Sequence, residues 1–401
     1  MSTECNRLHI GVFSPSVLIR VARRVGLLKE YDLSVEEVPV PSSPAQFAAL
    51  LDGRLDAALT SPDNVLNHRF TGGAELPNGS FTGGGVMLNR ASTTGALLPD
   101  EVLTGGTQLL DGTLAGATEL PGASSAGGGE MLDGVSTSGP EQPDASFTGR
   151  GEVSDGSFIG RAGVPDGSFT GSPNHPHNPA IQADVRILSA VDRGLGLALY
   201  ASPELSTSPP IMRPGLTLGV DVPNSGFAFA AYVLMETLGL SRTDYQVTAL
   251  GSTPMRLDAL LAGRCDITML NAGNDLRAED AGATRLAGVA DHCGPYLGTV
   301  LATAGAPKPL VSALAKALIA TTDLILSGEV NEVAEQETGL PKHLATRYVR
   351  HLTNPHEGLV RDGRVDPTAM HTVLALRRRY HPDDRLTAAL DPSNGLITPH
   401  P

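Results

Sequence analysis

Two stretches of this 401-residue chain repeat one another at an offset of 210 positions. Residues 43–66 read SPAQFAALLDGRLDAALTSPDNVL, residues 253–276 read TPMRLDALLAGRCDITMLNAGNDL, and nine of the 24 positions are identical. The shared residues include Gly53 and Gly263, Arg54 and Arg264, Asp56 and Asp266, and Asn64 and Asn274. A helix or strand buries its apolar side only against a neighbour, so each copy has to be a packed supersecondary unit. Ser43 or Thr253 is expected to cap a helix whose first turn holds Pro44 or Pro254. Leu50 and Leu51, or Leu260 and Leu261, supply its buried face. Gly53 and Gly263 end it, where a left-handed residue closes the last turn. Arg54 and Arg264 are expected at the surface. Asp56–Leu59 and Asp266–Leu270 then read as short buried strands. Each stops at a polar loop, Thr60–Asn64 or Asn271–Asn274.

The correspondence continues upstream. Leu8–Phe13 and Leu216–Asp221 read as opening strands, each followed by a polar turn, Ser14–Ser16 or Pro223–Gly226, and then a helical pattern. Val35–Val40 and Tyr245–Leu250 are second strands. Each half is thus strand–helix–strand–helix–strand, which implies an α/β fold of two lobes, each a mostly parallel sheet covered by helices. Asp184–Val191 is a further strand leading toward a hinge. Residues 309–326 and 366–380 carry helical periodicity, the second opened by an Asp366 N-cap with Pro367 in the first position.

Between the halves the chain changes character. Residues 71–180 hold 24 of the 46 Gly, with 12 acidic side chains against three basic ones, and so carry −9 of the net charge of −14. Asp144, Asp155 and Asp166 open near-identical units 11 residues apart, and weaker copies in the same register run back to Asn78. Asp-Gly and Asn-Gly are turn dipeptides, since both tolerate positive φ. A turn every 11 residues leaves two readings open. One is a small meander or solenoid of short strands. The other is a low-complexity insertion with too few apolar groups to offset the entropy of ordering.

A chain at −14 lacks the basic face that nucleic acid or an anionic membrane requires. Three Cys make no disulfide framework, so Cys265 and Cys293 are expected as reduced core residues and Cys5 as an incidental thiol. No apolar run reaches 18 residues, so no transmembrane segment is expected. The N-terminus has no basic stretch leading into an apolar one, so the chain as written is expected in the cytoplasm. It is expected outside only if a signal precedes this start.

Open α/β sheets bind ligands beyond the C-terminal ends of their strands. Ser14, Ser16, Thr60, Ser61, Asp63, Asn64, Asn224, Ser225, Asn271 and Asn274 occupy those ends, beside helix N-termini suited to a small polar or anionic ligand. Asp192 and Arg193 follow a strand that reaches the same place. Arg193 either grips an anion through forked hydrogen bonds or joins an ion pair between lobes. No cofactor and no metal site are expected: His175 and His177 have a chelating spacing without a third ligand. Nucleophile elbow, phosphate loop and zinc-protease motifs are missing.

The run Gly26-Leu-Leu-Lys-Glu-Tyr-Asp-Leu-Ser-Val-Glu36, followed by Gly53-Arg-Leu-Asp-Ala-Ala-Leu59, resembles the type 2 periplasmic binding fold. It is most similar to the family of sulfonate-, taurine-, nitrate- and thiamine-pyrimidine-precursor binding proteins of ABC importers. The resemblance covers residues 7–70 and 180–380. It implies a first lobe over 7–70 and 180–200, an inserted repeat over 72–171, a second lobe over 213–305 and C-terminal helices over 306–390. The implied function is capture of a small polar or anionic organic ligand by closure about a hinge, with an ABC permease as partner. The family also includes the thiamine pyrimidine synthase, whose active-site His aligns at Asn64, near His68, and whose Cys-rich stretch aligns near His292–Tyr296. A cytoplasmic enzyme of that kind, or a decarboxylase-like one, is the alternative.

Overall fold

The computed structural model describes residues 6–72, 183–205 and 213–398. The 11-residue repeats, His175, His177 and Cys5 lie outside the described residues. The first half runs β1 (Arg7–Val12), α1 (Val17–Arg24), α2 (Leu27–Glu30), β2 (Ser34–Pro39), α3 (Ser43–Leu51), β3 (Ala57–Thr60) and α4 (Pro62–Leu66). Two strands follow the insertion, β4 (Val185–Asp192) and β5 (Ala198–Ala201). The second half runs β6 (Leu216–Val220), α5 (Gly226–Thr237), β7 (Tyr245–Ala249), α6 (Thr253–Leu261), β8 (Ile267–Leu270) and α7 (Asn274–Asp280). Then come β9 (Thr284–Gly288), α8 (Val289–His292), β10 (Thr299–Ala304), α9 (Pro309–Ser327), α10 (Asn331–Glu337), α11 (Lys342–Thr353) and α12 (Pro367–Tyr380).

The duplicated unit forms as its residues dictate, with two departures: Leu51 and Leu261, expected on the buried face, are exposed, leaving Leu50 and Leu260 to fill it, and the caps shift by one. The helix caps are Ser42 and Ser252 rather than Ser43 and Thr253, which sit one place inside with the prolines next to them. The Ser42 hydroxyl accepts from the Ala45 amide at 3.4 Å. Gly53 and Gly263 adopt φ of 72° and 65°, the left-handed conformation that a side chain resists. Arg54 and Arg264 are exposed, and Cys265 and Cys293 are buried free thiols.

The strands form two five-stranded sheets, ordered β2-β1-β3-β10-β4 and β7-β6-β8-β5-β9. In each, the first three strands are parallel and the fourth runs antiparallel to both neighbours. The parallel part is what strand–helix–strand repeats build. The antiparallel strand comes from an exchange between lobes. Strand β5 directly follows β4 of the first sheet yet joins the second, and β10 follows β9 of the second yet joins the first. The chain therefore crosses between lobes twice, over residues 193–197 and 289–298. Residues 198–201 belong to the second lobe and 299–304 to the first, so the boundaries expected at 200 and 305 shift to the two crossings.

Each sheet is a core strand set under helices. Ile10, Val12 and Ala57 meet Ile19, Val21, Leu314 and Leu318 in one cluster, all at most 3% exposed. Burying each of the Val, Leu and Ile side chains contributes about 1.5–3 kcal/mol. The 19-residue α9 is long and apolar enough to cross a membrane by length and composition alone, which modifies the expectation drawn from apolar runs. Its Val311, Leu314, Leu318 and Ile325 face is buried in this cluster. Helix α12 opens as expected, with the Asp366 carboxylate accepting from the Thr368 amide at 2.8 Å. It packs against both α4 of the first lobe and α5 of the second.

Candidate functional site

The C-terminal ends of β1, β3, β4, β6 and β8 converge on one cavity of about 130 Å³ between the lobes. Eight of the residues singled out from the sequence line it: Ser14, Ser16, Thr60, Ser61, Asn64, Asp192, Ser225 and Asn271. Four do not. The Asp63 carboxylate turns away to Arg377, at 3.0 Å. Arg193 neither enters the cleft nor forms an interlobe ion pair; its guanidinium donates to the Leu359 carbonyl at 2.7 Å. The Asn224 carbonyl accepts from Arg377 at 3.4 Å. Asn274 sits at the rim and donates across the cleft to the Ser14 hydroxyl, also at 3.4 Å.

The walls include residues that the sequence reading missed. Asp221 directly follows β6 and lines the cavity with Thr253 and Thr299. A charged residue closing an otherwise apolar strand, at an edge already marked as the binding edge, was the available signal. Tyr348, Leu352 and Leu359 also line it, from α11 and the segment after it. Nothing in a helical repeat pattern says which sheet edge a C-terminal helix will cover.

The lobes touch around this cavity. The Ser43 amide donates to the Asp221 carboxylate at 3.2 Å, and the Ser252 amide to the Pro41 carbonyl at 2.8 Å. The Gly226 amide donates to Asp63. These bonds join first-lobe and second-lobe residues, so the cleft is closed. Asp192 sits where the two crossings meet. Its backbone carbonyl accepts from Gly298 at 2.9 Å and its carboxylate from Gly194 at 2.8 Å. Burial raises the Asp192 carboxyl to about 6, against hydrogen bonds from Thr299 and Gly194 that favour its charged form.

Neither histidine considered for catalysis lines the cavity. His68 is stacked on Phe47 with ring centroids 4.2 Å apart, and burial, helped by the Arg377 charge, lowers its pKa to about 4. His292 is exposed at the end of α8. Among the described residues no group of three metal-ligating side chains occurs.

The sequence matches no family model and no curated protein. Its fold has clear likenesses among solved structures. The alkanesulfonate-binding protein SsuA of Xanthomonas axonopodis pv. citri superposes with a TM-score of 0.54 at 14% identity, over 97% of this chain and 99% of that one. A Candida albicans protein described as having the generic periplasmic binding protein structural fold gives 0.55 at 12% identity, over 98% and 96%. The periplasmic nitrate-binding protein NrtA of Synechocystis gives 0.53 at 9% identity, over 97% and 86%. With two lobes, two crossings and a closed cleft between strand ends, the chain has the type 2 periplasmic-binding-protein fold.

Proposed function

We propose that this protein is a solute-binding protein that encloses one small polar organic molecule between its lobes and delivers it to an ABC permease. The observation that carries the reading is the cavity itself. It is enclosed by both lobes, and Ser14, Thr60 and Asn64 of one face Ser225 and Asn271 of the other. A ligand enters such a cavity only when the lobes part, and polar groups on both walls make closure depend on the ligand. The known binders of sulfonate and nitrate with this fold support the role and leave the ligand of this chain to its own residues. Delivery to a permease places the protein outside the cytoplasm.

The test is a panel of taurine, ethanesulfonate, nitrate, a hydroxymethylpyrimidine and small amines, read by calorimetry and by small-angle scattering. A ligand should contract an open form and raise apparent stability by mass action. A folded protein that binds no member of the panel would overturn the reading.

A further inference from the structure

The cleft carries the wrong charges for an anion. Among the described residues lining the cavity there is no Lys, Arg or His, while two carboxylates, Asp192 and Asp221, are present. Helix N-termini are the usual alternative anion site, and at α1, α3 and α5 the protein has already filled them. The Glu37 carboxylate accepts from the Ser16 amide at the start of α1, at 2.6 Å. Asp221 accepts from Ser43 at the start of α3, and Asp63 from Gly226 at the start of α5. A sulfonate or nitrate entering the cavity would meet two carboxylates and no cationic side chain among the described lining residues.

One acceptor is left over. Asp221 is 9% exposed, its Oδ2 is engaged by Ser43, and its Oδ1 is buried without a hydrogen-bond partner. An unpaired buried carboxylate oxygen carries a desolvation cost that a donor removes. Arg256 lies behind this wall, where burial lowers its pKa to about 10 against the favourable Asp221 charge. Its N–H groups donate elsewhere: to the carbonyls of Met269 and Gly251 and to the Thr253 hydroxyl. The rest of the lining mixes uncharged polar groups with apolar ones, Phe13, Phe227 and Leu359 among them. A cavity of about 150 Å³ holds benzene, so this one accepts a body of about six non-hydrogen atoms.

Resting on the solute-binding reading, we infer that the ligand is a compact organic amine bound as its cation. Its ammonium group donates to the Asp221 carboxylate, which lines the cavity as Asp192 does, and its hydrocarbon body lies against Phe13, Phe227 and Leu359. Three probes of one skeleton separate the charge from the shape: isopentylamine, isopentanol and isovalerate, titrated calorimetrically near neutral pH with ethanesulfonate beside them. The amine should bind about tenfold or more tighter than the alcohol, as expected for a charge-assisted hydrogen bond, and the two anions should not bind. Asp221→Asn keeps an acceptor for Ser43 and should erase the preference for amine over alcohol. Equal or tighter binding of isovalerate or ethanesulfonate would overturn the cationic ligand and leave the solute-binding reading standing. No binding by any of the four, with none by the wider panel, would overturn both. If Asp221→Asn does not fold, the ranking of the four probes on the unaltered protein decides alone.

Discussion

The Asp63 carboxylate and the Arg377 guanidinium form an ion pair 3.0 Å long in which neither side chain is exposed. The same guanidinium also donates to Asn67 and to the Asn224 carbonyl, and its carbon lies 5.6 Å from the centre of the Phe229 ring. Asp63 and Asn67 belong to the first lobe, Asn224 and Phe229 to the second, and Arg377 to α12. One side chain therefore ties the C-terminal helix to both lobes. Arg377→Met should cost about 3–5 kcal/mol, because it leaves Asp63 buried without a counter-charge. Adding Asp63→Asn to it should recover part of that loss. Urea midpoints at unchanged slope are the measurement, and a double variant no more stable than the single one would count against the pair as the cause.

Asp192 sets a second expectation, in pH. Burial raises its folded-state pKa to about 6 from the ordinary carboxylate value of 3.8, so between those pH values the folded protein holds a proton there that the unfolded chain has released. Stability from this group is present below pH 4 and is lost as pH rises through 6, at a cost on the order of 3 kcal/mol. Asp275, raised by burial to about 7, acts in the same direction. Asp192→Asn should flatten the fall between pH 4 and 6 and leave the part due to Asp275. A thermal-melt series across pH 4–8 checks it: identical slopes in the two proteins would refute the assignment.

Much of this architecture was legible because local chemistry and packing agree. Asp366 caps a helix where a cap was expected, Ser16 and Ser225 cap helices from the polar turns expected before them, and the polar ends of β1 and β3 face the cavity. What escaped the sequence depends on contacts between distant segments. The exchange of β5 and β10 depends on which edge strand has a free partner, and short apolar runs such as Ala198–Ala201 carry no such address. Arg377 sits in the triplet Arg377–Arg379, and periodicity reads such a triplet as a solvated helix end. Only its burial against Asp63 sets it apart from Arg378, whose guanidinium reaches Thr387 in an exposed contact.

The crossings should be intolerant at Gly298. A Cβ there would lie 2.4 Å from both the Gly194 amide nitrogen and Asp192 Oδ1, so backbone would have to move. Gly53 has open space around it, and only its positive φ opposes a side chain. Gly53→Ala should therefore cost about 1 kcal/mol. Gly298→Ala should cost more, in the range of about 1–3 kcal/mol for forced overpacking, and should also weaken ligand binding by displacing Asp192. The two variants compared by chemical denaturation test this, and equal losses would show that the crossings are not tightly packed.

Filling the cavity should separate binding from folding. Val191 lines the cleft beside Asp192 and is 7% exposed. Val191→Phe adds bulk that a cavity of about 130 Å³ has room for when empty but not beside a ligand. Overpacking is then limited to about 1–3 kcal/mol, and the strand keeps its ladder to β10. The expected outcome is a folded protein with a near-native circular dichroism spectrum that no longer responds to whichever probe stabilises the unaltered chain. Retained affinity would place the ligand somewhere other than this cleft.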